Sequence, residues 1–487
     1  MKLRSAVPFL LTGSLLALLV SCTTPPKGGV ALERGGVSSV IEATGYYPVM
    51  QGVTGPTWTR FTVMRPKAEP LTYRVIAGDG IATGSVRQGT HEFAASDQVV
   101  DEINVQGLKG ETGLKLQIEK DGKVVDERNF GLRNGRKDVR FAVVSCSDDH
   151  YPAEQKVMWS HVLAQKPDFI FAIGDNVYAD VEGGKYQGDA TPDLLWRRYV
   201  QTRSNLLLFR AKNLIPVVAL WDDHDYGQND GDRRYSQQRS SLQIFKSFFP
   251  QDVERELFYG GPGAASAFGF GEQRFYFLDG RSFRSPNKDP QICATKQDKK
   301  QCEKRPHKDR GRDRLATREP ETHFGQQQDQ WLTRLLEQGG SDVAWLITGD
   351  QWFGAYSPFE SFESNQPNDF KKFMARLKER DARVAFISGD RHASEISKIE
   401  KSLLGYETIE VVSSPIHAKV YPSNWNDFPN PRQIAATAEA FNYVLIDSRV
   451  DNQKWEMKIR NYKLDGPKGP LSLGFEKDFL IERPIAE

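Results

Sequence analysis

Hydrophobic positions fall into two textures along this chain. From about residue 37 to 137 they alternate with polar ones over short stretches divided by turn-forming residues, as in TRFTVM (59–64), LTYRVI (71–76), HEFAA (91–95) and LKLQIEKDGKVVDERNF (114–130). Period-two alternation predicts half-buried strands, and a run of this length without a helical pattern suits a small all-β sandwich of immunoglobulin type. From about residue 138 the texture changes. RFAVVS (140–145), PDFIFAIG (167–174), IPVVALW (215–221), VAWLITG (343–349) and ARVAFISG (382–389) are short, almost wholly apolar runs, the pattern of strands buried on both faces. Helical periodicity lies between them at 153–165, 193–201, 326–338 and 368–380. The expected fold class is therefore α/β, with an all-β domain at 37–137 and an α/β domain at 138–487. A polar Lys/Arg/Asp-rich segment from about 285 to 322 reads as an insert in the second domain.

Composition changes this picture little. The chain has 487 residues, too many for one ordinary domain, and its 39% hydrophobic content is enough for sizeable cores. Basic and acidic residues balance at 65 against 64, so charge gives no reason to expect specific nucleic-acid recognition or another polyanionic partner. No sequence feature calls for an oligomer, and a monomer is expected.

The first 21 residues alter the expected location. Lys2 and Arg4 precede an apolar stretch, residues 6–20, that is shorter than the roughly 20 residues needed to span a bilayer. It reads as a signal peptide. The ending Leu19-Val20-Ser21-Cys22 resembles a bacterial lipobox, which would make Cys22 a lipid anchor and 22–36 a tether. The protein is then expected at the bacterial cell envelope, held to a membrane through Cys22 and facing the periplasm, with the outer membrane as the expected site. Export permits disulfides, and Cys293 with Cys302 bracket a polar stretch that packing could not close, so a local disulfide is expected there. Cys146 is left over, either as a buried core thiol or as a metal ligand.

Candidate chemistry gathers where the apolar runs end. One run finishes in Cys146, Asp148 and Asp149, a second in Asp175, Tyr178 and Asp180, a third in Asp222, Asp223, His224 and Asp225, and a fourth in Asp390 and His392. Open α/β sheets bind ligands beyond the carboxyl ends of their strands, so these groups can converge on one crevice. Converging carboxylates raise one another's pKa values unless a cation balances them. Hard oxygen donors with imidazole, with or without a thiolate, suit Mn, Fe, Zn or Ca better than a closed structural zinc site. Two such ions about 3.5–4 Å apart polarise a phosphoryl oxygen and generate hydroxide near neutral pH. Phosphoester hydrolysis is the chemistry that follows.

As an ordered set, SC-S-D, GDNVYAD, DDHD, LDGRSFR, GQQQDQWL and GDRHASE resemble the alkaline phosphatase D (PhoD-like) family of calcineurin-like metallophosphoesterases, over roughly residues 37–460. The resemblance implies a four-layer αββα sandwich preceded by the small β-sandwich. It implies two or more metal ions, Fe3+ with Ca2+ as the expected pair and Mn or Zn as alternatives, held by Cys146, Asp148, Asp175, Tyr178, Asp222, Asp223, Asp390 and His392. Asp175 would bridge the ions and hold the nucleophilic hydroxide, Tyr178 would bind as a phenolate, and His224 would assist the leaving alcohol. Asp390 and His392 stand where the superfamily carries His-x-His, a change that favours harder metals. Arg281 and Arg284 are expected to hold substrate phosphate, with pairing to local acids as the alternative, and Gln351 with Trp352 to line the cleft. Asn229 and Asp230, which could reach a second cation, and His417 are further candidates.

Other mechanisms lack their parts. The chain has neither a Gly-x-Ser-x-Gly elbow nor a phosphate-binding G-x-x-x-x-G-K-[S/T] loop. The expected activity is metal-dependent hydrolysis of phosphomonoesters or phosphodiesters, in small molecules or polymers. The alternatives are a phospholipase-type phosphodiesterase and a non-catalytic, metal-stabilised envelope binding protein.

Overall fold

The computed structural model describes residues 46–482, apart from 183–184, 288–320, 339–342, 358, 381–382, 452–453 and 468. The expected signal peptide, tether, Cys22 anchor and Cys293–Cys302 disulfide, with most of the 285–322 insert, lie outside the described residues.

Seven strands come first: β1 (Val49–Thr54), β2 (Trp58–Pro66), β3 (Thr72–Ile76), β4 (Ser85–His91), β5 (Gln98–Gln106), β6 (Lys115–Lys120) and β7 (Lys123–Asn129). They form two antiparallel sheets, in the orders β1-β2-β5-β4 and β3-β6-β7. Alternate residues, Val49, Phe61, Val63, Ile103 and Val105 from the first and Tyr73, Val75, Leu116 and Ile118 from the second, share one core. The opposite face of the first sheet is buried as well, because Met50, Trp58, Met64 and Val100 belong to the main core of the later residues. HEFAA departs from its expected strand: β4 stops at His91, and Phe93 instead stacks on Trp196 with ring centroids 5.4 Å apart.

The remainder is mixed α/β and dominated by sheet. Its strands are β8 (Asp138–Val144), β9 (Phe169–Ile173), a small hairpin of β10 (Val181–Glu182) and β11 (Lys185–Tyr186), β12 (Val217–Leu220), β13 (Glu254–Arg255), β14 (Phe258–Gly260), β15 (Ser266–Phe270) and β16 (Gln273–Phe277). Then follow β17 (Val343–Ile347), β18 (Arg383–Ser388), β19 (Ser394–Ile399), β20 (Thr408–Val412), β21 (Gln433–Thr437), β22 (Asn442–Asp451), β23 (Lys454–Leu464) and β24 (Leu471–Glu482). One sheet runs β12-β9-β8-β22-β23-β24 and the other β13-β14-β15-β16-β17-β18-β20-β19-β21. Within them β12, β9 and β8 are parallel neighbours, as are β16, β17, β18 and β20.

The apolar runs become parallel strands because both of their faces are covered. In β17, Val343, Trp345 and Ile347 enter the core shared with β8 and β9, while Ala344 and Leu346 enter a second core. Phe141 of β8 meets Phe275 of β16 and Trp345 of β17 at 5.5 and 5.3 Å. The second core is completed by Trp331, Leu332 and Leu335 of the helix Gly325–Gln338 and by Phe370, Phe373 and Leu377 of the helix Pro367–Glu379. Helices Pro152–Ala164 and Pro192–Asn205 add Met158, Trp159, Leu195, Trp196 and Tyr199 to the first. Three of these helices open on proline, whose missing N–H costs nothing in the first turn. No helix among the described residues is long and apolar enough to cross a membrane.

Candidate metal centre

The carboxyl ends of β8, β9, β12 and β18 deliver Cys146, Asp175, Asp222 with Asp223, and Asp390 with His392 to one place. Backbone geometry there is unusual. Cys146, Asp175, Asp390 and His392 sit at φ of 56°, 50°, 63° and 50°, a region that L residues occupy only when surrounding contacts hold them. Glycine makes the approach of the strands possible. Gly174 has φ of 117°, and a Cβ on it would fall 2.6 Å from Asp222 Cβ; one on Gly349, at the end of β17, would fall 2.7 Å from Asp222 Cγ. The recurring Gly-Asp at strand ends is thus a packing requirement that frees room for the carboxylates.

Asp175 is the shared member of the cluster. Donor atoms of Cys146, Asp175 and His392 lie within 4.8 Å of one another, and so do those of Asp175, Asp222, Asp223 and Asp390. Tyr178 joins the first group: its hydroxyl is 3.4 Å from Asp175 Oδ2 and 3.2 Å from His392 Nε2, and Cys146 Sγ is 3.5 Å from the same Asp175 oxygen. Asp175 also groups with Asp223 and His224, and a further grouping joins Asp223 to Asp230 and Glu360. Cys146 and Asp175 are buried, and among the described residues Asp222 Oδ2 is a buried oxygen with no hydrogen-bond partner.

The electrostatics require a counter-charge. Burial pushes the Cys146 thiol up to about 12 and the Asp390 carboxyl up to about 7. Burial also raises Asp175, Asp222 and Tyr178 well above their ordinary ranges, and neighbouring acids add to the effect at Asp175 and Tyr178. Asp223 moves the other way, because His224 and Arg281 together outweigh its burial. These donors become anions together only beside cations, and a set of thiolate, phenolate, imidazole and carboxylates fits transition-metal and hard divalent ions.

His224 sits beside this cluster on the four-residue helix Asp223–Tyr226, which is capped by Asp222 and Asp225. Its Nδ1 lies 2.5 Å from Asp180 Oδ1, and Nε2 has no hydrogen-bond partner among the described residues. Burial would lower its pKa, but Asp223, Asp180 and Asp175 outweigh burial and raise it well above the ordinary histidine value. Asp225 does not hold the imidazole. It accepts from Asp222 N at 2.5 Å and Asn176 Nδ2 at 2.6 Å, fixing the turn that presents His224.

Several expected residues are placed elsewhere. Asp148 groups with Asp149 and His150 rather than with Asp175, and its Oδ1 is 2.6 Å from His150 Nδ1. Arg281 and Arg284 are fully buried and paired with acids. Arg281 Nε donates to Asp222 Oδ1 at 2.5 Å and its Nη2 pairs with Glu360, while Arg284 pairs with Glu360 at 2.6 Å and Asp350 at 3.4 Å. Gln351 is 1% exposed and donates to Glu395 at 3.1 Å, so packing closes it off from a cleft. Trp352 is buried in the second core, and His417 uses both ring nitrogens inside the protein, on Trp159 and Asp148 O. Glu360 carried no sequence signal, since nothing in SPFESFES separates it from a surface glutamate.

A family model described as PhoD-like phosphatase matches residues 141–462, about two-thirds of the chain, from β8 into β23. No curated protein matches the chain.

Proposed function

The chain belongs to the PhoD-like phosphatase family, a family of metal-dependent enzymes, and from that premise we propose that it hydrolyses phosphomonoesters or phosphodiesters at the cluster centred on Asp175. The observation that carries this reading is the sharing of Asp175 by three donor groups of different chemistry, one of which includes His224. Cys146, Tyr178 and His392 with Asp175 suit Fe3+, and Asp222, Asp223 and Asp390 with Asp175 suit Ca2+, with Mn or Zn as substitutes. Cations held by these residues would supply charge to neutralise the phosphoryl oxygens and would lower the pKa of a bound water.

The chain's own residues do the rest. Asp180 orients the His224 ring through Nδ1, so Nε2 is the atom that faces the reacting group. The Asp180 carboxylate at Nδ1 favours the imidazolium, which suits His224 to give a proton to the departing alkoxide. Arg281 holds Asp222 in place through a buried ion pair.

We read the two later sheets with their helices as the four-layer αββα sandwich. We read the seven N-terminal strands as an immunoglobulin-like domain ending near residue 137; their orders, first-second-fifth-fourth and third-sixth-seventh, support it. The lipobox-like ending at Cys22 supports attachment to the cell envelope, and Cys22→Ser is expected to move the protein from the membrane to the soluble fraction.

The deciding experiment compares wild type with Asp175→Asn by elemental analysis and by hydrolysis of p-nitrophenyl phosphate and its bis-ester. Bound transition metal and turnover, both lost in the variant, are expected. A protein that binds metal yet turns over neither ester under any metal supplement would replace the reading with a metal-stabilised binding protein.

A further inference from the structure

Phosphate recognition needs a cation with donors to spare, and most cations near the centre are occupied. Arg281 and Arg284 are paired with Asp222, Glu360 and Asp350 and are fully buried, so that even Arg281 Nη1, which has no hydrogen-bond partner among the described residues, is shut off from solvent, and Arg198 pairs with Asp149 at 2.5 Å. Arg391 differs. It stands between the candidate ligands Asp390 and His392, is half-buried, and among the described residues its guanidinium has no carboxylate within ion-pair distance and no hydrogen bond. Its Nε is buried from solvent without a partner. The group is nevertheless held in place, because it lies over the ring of Phe359 at 4.8 Å and that of Tyr356 at 6.0 Å. The Tyr356 hydroxyl is itself fixed by Glu395 at 3.2 Å.

Stacking on aromatic faces fixes the plane of a guanidinium and leaves its edge donors free, the arrangement that suits bidentate contact with an oxyanion. Lys419, whose backbone carbonyl meets His392 Nδ1, is exposed and its ammonium lies over Tyr421 at 5.1 Å, where solvent screens it. We propose that Arg391 is the phosphate clamp of this enzyme, donating to the phosphoester oxygens that the cations leave free. The assignment rests on the phosphatase reading and replaces Arg281 and Arg284 in the role their motif suggested. It also predicts a preference. A monoester presents a dianion and a diester a monoanion, so loss of the clamp should harm monoester hydrolysis more.

The test uses the metal-loaded full-length protein as wild type, Arg391→Ala and Arg391→Lys. Inorganic phosphate is titrated in by calorimetry, and kcat/KM is measured for p-nitrophenyl phosphate and its bis-ester, with metal content and melting temperature as controls. For Arg391→Ala the expected result is phosphate binding weaker by about 10- to 100-fold, as for loss of charge-assisted hydrogen bonds, a larger loss of kcat/KM on the monoester, and unchanged metal content. Arg391→Lys keeps the charge but not the fork and should fall between the two; it carries the test alone if the alanine variant does not fold. Phosphate affinity within about twofold of wild type in a folded, metal-loaded variant would overturn the proposal. So would equal losses on both esters accompanied by loss of metal, which would make Arg391 a structural support. If wild type binds no phosphate and cleaves neither ester, the phosphatase reading itself fails and the clamp goes with it.

Discussion

Replacing Arg281 by Met tests whether the ion-pair network behind the cluster holds Asp222 in place. Arg281 is fully buried, and so are Asp222 and, nearly, Glu360. Glu360 keeps Arg284 when Arg281 is removed, so Asp222 is the group left uncompensated. Removing one partner of a buried pair costs about 3–5 kcal/mol. Unfolding entropy of roughly 2 cal/mol/K per residue over a chain of this size makes each kcal/mol worth about 1 °C. The expected fall in melting temperature is therefore about 3–5 °C with metal chelated. Its pH dependence has a definite sign. Burial already raises the Asp222 carboxyl against the pull of Arg281, and losing Arg281 raises it further. A carboxyl with a raised folded-state pKa favours folding at low pH and loses that contribution as pH rises, so the deficit should be larger at pH 8 than at pH 5. A cation bound at Asp222, Asp223 and Asp390 supplies the missing charge, so loading with metal should shrink the deficit. Calorimetric melts at both pH values, with and without chelator, read all three effects. A shift under about 1 °C that ignores pH would show the pair contributing no more than a surface contact and refute the reasoning.

Three further outcomes are expected. Burial holds His161 at about 4, so the stability its neutral form contributes above its ordinary value is lost as pH falls through that range; His161→Gln should flatten the decline of the urea midpoint between pH 7 and pH 4.5, and parallel curves would refute it. Tyr178→Phe removes the hydroxyl that lies between Asp175 and His392; it should lower bound iron and abolish any visible phenolate-to-iron absorption, and an unchanged spectrum would exclude Tyr178 as a ligand. Gly174→Ala forces a Cβ onto Asp222 at a φ that alanine rarely adopts, so a loss of about 2–4 kcal/mol by denaturant titration is expected, together with weakened metal retention.

What the sequence determined by itself was local. Apolar runs too short for helices and bounded by Gly-Asp became β9, β17 and β18, the neighbouring runs became β8 and β12, and the helical patterns between them became helices within a residue or two at most ends. The chemistry at the strand ends was legible because a parallel sheet sends every carboxyl end the same way. Tertiary structure decided which group each side chain serves. Asp180 holds His224 from 44 positions away, Arg281 reaches Asp222 across 59, and Arg284 reaches Glu360 across 76. Asp148 turns to its neighbour His150 instead of joining Asp175, and Gln351 is sealed beneath Glu395. Backbone preference and hydrophobic period act over a few residues and so can be read along the chain. The choice of partner for a buried charge depends on which strands become neighbours and how much solvent their packing excludes, and that exists only once the two sheets have closed on their shared core.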